Sequence, residues 1–205
     1  MKAFVKAFAR AIIAEYQLIR IYFVDTKVRE VNPREWIRLA SVAGEELVMR
    51  EAEDSDLRNH AWYAGQHSKG FGLWEGGKLV CLCWIWTYNH PALPKRFARI
   101  GADEAVLVDI ITATSVRGKG YAPMLLRHAE TEMRKRGYRR LWAWIWHSNT
   151  PSIRSFEKEN WIYSHVLIEV KPRGLGRTIS VALKGHWGLR RRRTTEEKSQ
   201  PENIQ

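Results

Sequence analysis

The chain has 205 residues, of which 45% are apolar, a length and composition that suit one well-packed domain and do not require a second. It contains no uninterrupted apolar run of about 18 residues, which argues against a transmembrane helix. The net charge of +12 is high and is compatible with nucleic acid, an anionic membrane surface or a phosphorylated ligand as a partner.

The N-terminal segment begins with the pattern of an amphipathic basic helix. The apolar side of that pattern carries Val5, Phe8, Ile12, Tyr16 and Ile19. Such a helix either packs on a domain or attaches the chain peripherally to an anionic membrane. Residues 18–24 are typical of a strand that joins a sheet, which favours packing. No small-residue cleavage site follows, so the segment does not predict a secretory signal.

The rest of the chain alternates predicted strands and helices. In chain order we predict a helix over 33–43, a strand and then a helix within 46–57, a hairpin over 71–88, a strand over 104–112, a helix over 123–136, a strand over 139–148, a helix over 150–160, and strands over 161–170 and 178–183. This order predicts a mixed α/β sheet domain. We assign residues 1–45 to an N-terminal extension that packs on or leads into the domain, residues 46–186 to the domain, and residues 187–205 to a basic, then polar tail that we expect to be disordered.

Cysteine and tryptophan occur on the predicted strands. Cys81 and Cys83 are too few and too closely spaced for a disulfide framework or a zinc site, and we expect buried thiols in a reducing, cytoplasmic compartment. The chain has ten tryptophans, which is an unusually high number. They either pack in the core or line a cleft in which flat aromatic surfaces bind a ligand.

A glycine-rich loop follows the strand over 104–112, in the sequence VRGKGYA from Val116 to Ala122. Glycine permits close approach to the backbone, and the loop leads into a helix whose first N–H groups and dipole favour an anion. The loop therefore predicts a phosphate-bearing ligand. It is not a Walker A loop, since Tyr121 follows Gly120, and it is not a Rossmann loop, since Pro123 stands at the third glycine position.

The loop fits the pattern R-x-x-G-x-A, and a second segment, NTPSIRSFEKENW over 149–161, follows the next predicted strand. Taken together, over about residues 46–170, these segments resemble the GNAT superfamily of acyl-CoA-dependent N-acyltransferases. The resemblance implies a central, mostly antiparallel twisted sheet with flanking helices. It implies transfer of an acetyl group from acetyl-CoA to a primary amine in a ternary complex, with no metal.

The resemblance also assigns residues to the cofactor. The loop backbone would cradle the pyrophosphate of acetyl-CoA, the end of the preceding strand would hold the pantetheine arm through unpaired backbone groups, and Asn149 would contact the cofactor at the end of the next strand. The residues implied are Thr112, Ala113, Thr114, Arg117, Gly118, Lys119, Gly120, Tyr121, Ala122, Asn149, Ser152 and Phe156. Asn149 has an alternative as a simple turn residue before Thr150, which we expect to cap the following helix.

Three residues are candidates for the base that takes a proton from the amine. Asp109 interrupts an otherwise apolar strand, where an unpaired carboxylate is costly, and it serves either as the base or in an ion pair with Arg or Lys. Glu104 is a base or a solvated strand end, and His147 is a base or a structural histidine. Many members of the superfamily carry a tyrosine as general acid where this chain has Phe156, whose ring cannot donate a proton.

Several functions stay open. The acceptor is a small molecule, an amino sugar or a protein amine, and the extension and tryptophans favour a small molecule or a sugar. A catalytically degenerate acyl-CoA sensor is the second reading, because of Phe156. A basic protein that binds nucleic acid or a membrane surface comes last, because charge does not explain the paired motifs. Homodimers are common in the superfamily, although no residue here predicts one.

Overall fold

The computed structural model describes residues 13–97, 99–174 and 177–183. The strands are β1 (Ile13–Asp25), β2 (Ile37–Val42), β3 (Ser68–Glu75), β4 (Lys78–Thr87), β5 (Glu104–Thr112), β6 (Arg140–Trp146), β7 (Ile162–Pro172) and β8 (Ile179–Leu183). The α-helices are α1 (Glu45–Glu51), α2 (Ser55–Asn59), α3 (Tyr121–Lys135) and α4 (Thr150–Lys158). In the part of the chain that the structure describes, no helix is long and apolar enough to cross a membrane.

The eight strands form one sheet in the order β2-β3-β4-β5-β6-β1-β7-β8. Neighbouring strands are antiparallel except β5 and β6, which are parallel. A parallel pair requires a crossover connection, and α3 supplies it between β5 and β6. The predicted fold class, a mostly antiparallel sheet with flanking helices, is confirmed.

Helices cover both faces of the sheet. Phe71 of β3 packs edge-on against His128 of α3, with ring centroids 5.9 Å apart. Because side chains alternate along a strand, Gly72 faces the other side, where an added Cβ would lie 2.7 Å from the ring of Trp74. Trp74 donates its indole N–H to Glu51 of α1 at 2.8 Å. The α1 helix therefore lies on the face opposite α3.

The N-terminal strand β1 is part of the sheet. It lies between β6 and β7, where Ile19 and Tyr22 are fully buried. The strand predicted over 18–24 is confirmed, whereas Tyr16 and Ile19, expected on a helix, lie on this strand. The rest of the predicted N-terminal helix, residues 1–12, and the tail over 187–205 lie outside the described residues.

Two elements differ from their prediction. The predicted helix over 33–43 contains strand β2 instead, and its pairing with β3, from Ile37 opposite Glu75 to Val42 opposite Gly70, overrides the local helical pattern. The strand predicted to begin near residue 46 lies in α1 instead. Acidic residues in its first turn and a basic residue in its last turn complement the helix dipole.

Strands β5 and β6 separate part-way along their length. They pair only from Glu104 opposite Arg140 to Leu107 opposite Ala143. Immediately beyond, β5 has an irregularity in its pairing with β4 and one extra residue, Val108. Such a bulge bends a strand and re-aims its side chains. The sheet therefore opens between the later residues of β5 and the end of β6, and the candidate site lies at this opening.

Candidate active site

A large cleft of about 770 Å³ lies at the opening, between the glycine loop and α4. Its lining comprises Ile110, Ile111, Thr112, Val116, Arg117, Gly118, Gly120, Tyr121, Ala122, Pro123, Leu126, Asn149, Pro151, Ser152, Arg154, Ser155, Phe156 and Lys158. Among these described residues the ionisable groups other than Tyr121 are all cations, namely Arg117, Arg154 and Lys158, and no carboxylate is present. The cleft is electrostatically suited to an anionic ligand.

The glycine loop exposes backbone N–H groups to this cleft. Gly118 and Gly120 have φ angles of 86° and 81°, in the left-handed region that favours glycine. Gly120 is the N-cap of α3 and brings no side-chain oxygen to the helix N-terminus. In the part of the chain that is described, no hydrogen bond uses the N–H groups of Gly118, Gly120 or Ala122. These free donors and the helix dipole create the anion cradle that the sequence predicts.

The charge of Lys119 is directed away from the cradle. Its ammonium lies 3.0 Å from Oε2 of Glu75, and the hydroxyl of Tyr121 donates a hydrogen bond to Oε1 of the same carboxylate. The hydrogen bond from Tyr121 is the main cause, and the bond from Lys119 the second cause, of a pKa of Glu75 below its usual range. Burial is the main cause, and the bond to Glu75 the second cause, of a pKa of Tyr121 raised to about 12. Lys119 therefore does not supply the cleft charge expected of it, although Tyr121 lines the cleft as predicted.

Two cations that sequence reasoning missed supply that charge instead. Arg154 and Lys158 lie on α4 and line the cleft opposite the loop. Their spacing of four residues places them on one face of the helix, and this spacing is the signal that would have found them. No ion pair engages either residue within the described ranges. Both are free to bind an anion.

The backbone over 112–114 is more fully paired than predicted. The N–H of Ala113 donates to Val80 of β4 at 2.8 Å, and the N–H of Thr114 donates to Asp54 at 3.3 Å. The carbonyl of Thr112 accepts a bond from Arg117 at 3.2 Å. Only Thr112 of the three lines the cleft. The stretch of β5 that has no β6 partner lies earlier, over 108–111, because pairing stops at Leu107.

The second motif meets the loop across the cleft. The side-chain oxygen of Asn149 accepts a bond from the N–H of Ser152 at 3.2 Å and caps α4, so Asn149 has the capping role expected of Thr150. Phe156 is 2% exposed and packs against Trp161, with ring centroids 4.8 Å apart. Asn149, Ser152 and Phe156 line the large cleft and also a second, smaller one. The two clefts therefore adjoin at this motif.

The smaller cleft, of about 180 Å³, is lined mostly by aliphatic and aromatic residues, although much of the surface that it exposes is polar. Its lining comprises Tyr63, Leu107, Val108, Asp109, Ile110, Trp144, Ile145, Trp146, Asn149, Ser152 and Phe156. Asp109 is the one carboxylate among the described lining residues. A carboxylate in a cleft beside one suited to an anion is itself suited to receive an amine.

Asp109 is bound by a histidine. Its Oδ2 lies 2.7 Å from Nδ1 of His60, which follows the end of α2. The side chains of Asp109 and His60 are 13% and 31% exposed. The bond to Asp109 is the main cause of a raised pKa of His60, and burial opposes it. Among the described residues Asp109 pairs with this histidine and not with Arg or Lys, and the sequence has no local signal for the His60 partner.

The other two base candidates lie apart from Asp109. Glu104 is at the opposite end of β5, five residues or roughly 16 Å away, and accepts a bond from Trp142 at 3.1 Å. Nδ1 of His147 accepts a bond from Arg20 of β1 at 3.3 Å, and His147 lines neither cleft. Among the described residues, no group of three or more His, Cys, Asp or Glu is placed to hold a metal ion.

A protein-family model described as the acetyltransferase (GNAT) family matches residues 34–160, more than half of the chain. The chain is a member of the GNAT family. The resemblance seen in the paired motifs is thereby confirmed, and membership supports acetyltransferase activity in general terms. A search of curated proteins finds no match.

Solved GNAT structures share this fold. An acetyltransferase of the GNAT family from Colwellia psychrerythraea is 17% identical with a TM-score of 0.55, and the match covers 82% of this chain and 61% of that one. A GNAT-family structure from Novosphingobium aromaticivorans is 15% identical with a TM-score of 0.54, over 77% of this chain and 65% of that one. A GCN5-related N-acetyltransferase from Sphaerobacter thermophilus is 14% identical with a TM-score of 0.53, over 84% and 56%. The chain thus spans less than two thirds of the length of these proteins, and at such identities the likeness concerns the fold.

Proposed function

We propose that this GNAT protein transfers an acetyl group from acetyl-CoA to the nitrogen of a primary amine, with both substrates bound at once. The observation that carries the proposal is the junction of two chemically opposite clefts. One cleft has cations and free backbone N–H groups, and the other has a single carboxylate among apolar side chains. Asn149, Ser152 and Phe156 line both, so a ligand in each cleft meets the other at this point.

The large cleft suits the diphosphate and phosphate groups of acetyl-CoA. The free N–H groups at the start of α3 and the helix dipole favour a diphosphate without any charged side chain. Arg117 adds charge at the loop, and Arg154 and Lys158 add it along α4. Each charge-assisted hydrogen bond contributes about 1.5–3 kcal/mol, so three cations supply a substantial share of the binding free energy.

The incoming ammonium first loses a proton, and the neutral amine nitrogen then bonds to the thioester carbonyl carbon. The C–S bond breaks, CoA leaves as a thiolate, and the nitrogen loses a second proton as the amide forms. Asp109 attracts the incoming ammonium and accepts its proton, directly or through one water molecule. His60 holds the carboxylate through Oδ2, and we assign Oδ1 to the contact with the amine. The proton then passes to solvent. A positioned base of this kind contributes about 10²- to 10⁴-fold to the rate.

The thiolate departs without a tyrosine. Phe156 is buried between the clefts and carries no ionisable group, so we assign protonation of the thiolate to water. The same residue favours a second function, a domain that binds acyl-CoA and transfers nothing. The two functions make different predictions about turnover.

We also propose a cytoplasmic location. Burial raises the pKa of the Cys81 thiol to about 12, and it raises the pKa of Cys83 well above its ordinary value. Both thiols are free and buried. Unpaired, unreactive thiols suit a reducing compartment.

Calorimetric titration with acetyl-CoA, followed by a screen of amines for release of free CoA, tests the proposal. We expect saturable binding to the full chain and loss of binding in an Arg117→Glu, Gly120→Glu double variant whose circular dichroism is unchanged. Release of CoA that depends on an amine supports the transferase. Binding without release for every amine supports the sensor instead, and absence of binding by any acyl-CoA overturns both.

A further inference from the structure

We propose that the acceptor is a monocationic arylalkylamine, an aromatic ring joined by a short chain to one primary ammonium group. The inference rests on the proposed function and names the class of amine that the smaller cleft selects. Four features of that cleft support it: its single charge, its aromatic walls, the rigidity of those walls and its size.

The charge of the cleft suits one cation. Asp109 is the one carboxylate among its described lining residues, and the remainder are apolar, aromatic or neutral polar. An ammonium that pairs with Asp109 is stabilised by the opposite charge, whereas a second ammonium on the same ligand would find no second carboxylate among the described lining residues. A polyamine is therefore a poor match.

Aromatic side chains form the walls on either side of Asp109. Tyr63 comes from the short helix after α2, and Trp144 and Trp146 come from β6. Trp62 extends the surface outwards, since its ring stacks on Tyr63 at 3.9 Å between centroids and is 61% exposed. Such rings bind another ring by stacking or edge contacts and attract an adjacent cation through their faces.

Contacts behind the cleft hold these walls in place. The carbonyl of Tyr63 accepts one bond from Ser68 at 2.9 Å and another from the indole of Trp86 at 3.0 Å. On the other wall, the guanidinium of Arg96 lies 5.2 Å from the Trp144 ring centroid. Arg96 is itself fixed by an ion pair with Glu169 of β7 at 3.0 Å. Walls that are rigid before binding lose little conformational entropy when a flat ligand is bound.

The size of the cleft limits the small molecules that the sequence leaves open. A cleft of about 180 Å³ is close to the roughly 150 Å³ cavity that holds a benzene ring, so it accommodates one ring and a short chain.

The test measures both turnover and binding for a panel of amines. With acetyl-CoA, kcat/KM is compared for 2-phenylethylamine, n-butylamine, spermidine, glucosamine and a lysine-containing peptide, and calorimetry measures binding of each amine in the presence of CoA. We expect 2-phenylethylamine to exceed every other amine by at least about tenfold in both readouts. Preferred turnover of any other amine overturns the arylalkylamine assignment and leaves the proposed transferase intact. Preferred binding of 2-phenylethylamine without turnover keeps an arylalkylamine as the ligand of the smaller cleft but overturns the transferase and, with it, the acceptor role, and neither binding nor turnover of any amine overturns both.

A matched pair of variants tests the aromatic wall. Trp146 is 48% exposed, so Trp146→Ala should fold, and we expect it to lower kcat/KM for 2-phenylethylamine by about tenfold and that for n-butylamine by a clearly smaller factor. Trp36→Ala is the control, because Trp36 is 56% exposed and precedes β2, four strands or roughly 19 Å from β6 in the sheet. An equal loss for both amines in Trp146→Ala, or an equal loss in the two variants, contradicts the proposal.

Discussion

Nδ1 of His60 lies 2.7 Å from Oδ2 of Asp109, although 49 residues separate them in the chain. The contact joins the end of α2 to β5 one residue beyond its bulge. It gives a carboxylate that interrupts an apolar strand a partner, and it fixes that carboxylate at the wall of the smaller cleft. The pair is thus both a structural contact and the centre of the proposed chemistry.

Replacing Asp109 should change the titration of His60. We expect the pKa of His60, measured by NMR, to lie above its ordinary value of about 6.5 in the wild type and to fall in Asp109→Asn, because the hydrogen bond that Asp109 accepts from His60 is the main cause of the rise. The stabilisation that this pair gives to the folded state is fully present below the pKa of His60 in the unfolded chain. It is lost as the pH rises through the pKa of His60 in the folded protein. His128, whose pKa burial lowers, is the internal control and should not respond. An unchanged pKa of His60 in Asp109→Asn would contradict the assignment.

The same variant should also lose activity. Asp109→Asn keeps the size of the side chain but removes its capacity to accept a proton, so we expect kcat/KM to fall by about 10²- to 10⁴-fold. Glu104→Gln is a control at the other end of β5 and should retain activity if folded. Wild-type kinetics in Asp109→Asn would show that the proton is taken elsewhere.

The cations of α4 and of the loop should differ in their effect on acetyl-CoA affinity. We expect Arg154→Ala to raise the Kd by about tenfold or more, because it removes an unpaired cation from the cleft lining. Lys119→Ala should have little effect, because that ammonium is paired with Glu75 and does not line the cleft. Calorimetry at two salt concentrations measures both values. A larger loss of affinity in Lys119→Ala than in Arg154→Ala would support the expectation from the sequence that Lys119 supplies charge to the phosphate groups.

Two glycine substitutions distinguish a loss of stability caused by backbone conformation from a loss of acetyl-CoA binding. Gly120 and Gly137 have φ angles of 81° and 90°, and an added Cβ meets nothing within 4 Å at either position. Alanine should therefore cost each variant about 1–2 kcal/mol of unfolding free energy through backbone conformation alone. Only Gly120→Ala should weaken acetyl-CoA binding, since Gly120 is at the start of α3 and Gly137 is beyond its end. Equal affinities for acetyl-CoA in the two variants would contradict the assignment of the loop to the binding site.

Glu130 should destabilise the fold as the pH rises. Its side chain is fully buried on α3, its Oε2 has no hydrogen-bond partner in the described structure, and burial raises its pKa. A carboxyl group with a raised pKa binds its proton more readily when folded, so stability falls between the unfolded and folded pKa values. We expect Glu130→Gln to raise the Tm at pH 8 by about 2–4 °C relative to the wild type and to have no such effect at pH 4.

A control substitution on the same helix should change the Tm at pH 8 in the opposite direction. Lys135 holds the pKa of the more exposed Glu132 below its usual range, so that carboxylate is stabilising at neutral pH. Glu132→Gln should lower the Tm slightly at pH 8, as measured by thermal unfolding. A decrease in Tm for Glu130→Gln at pH 8 would mean that its contact with Arg29 outweighs its desolvation.

Local patterns in the sequence determined the elements that form the large cleft. The strand over 104–112, the left-handed glycines at Gly118 and Gly120, and the helix that follows are each specified by residues close together in the chain. Their prediction succeeded because hydrophobic alternation, missing Cβ atoms and helix capping act over a few residues. The paired motifs then identified the GNAT family, which the family match confirms.

Only the tertiary structure decided which long-range contacts these and other elements make. The pairing of β2 with β3 overrode a helical pattern, Glu75 took up the charge of Lys119, and His60 rather than Arg or Lys became the partner of Asp109. Each of these outcomes depends on a contact between residues far apart in the chain. Sheet pairing, ion pairing and desolvation are decided by three-dimensional proximity, for which a single sequence has no local signal.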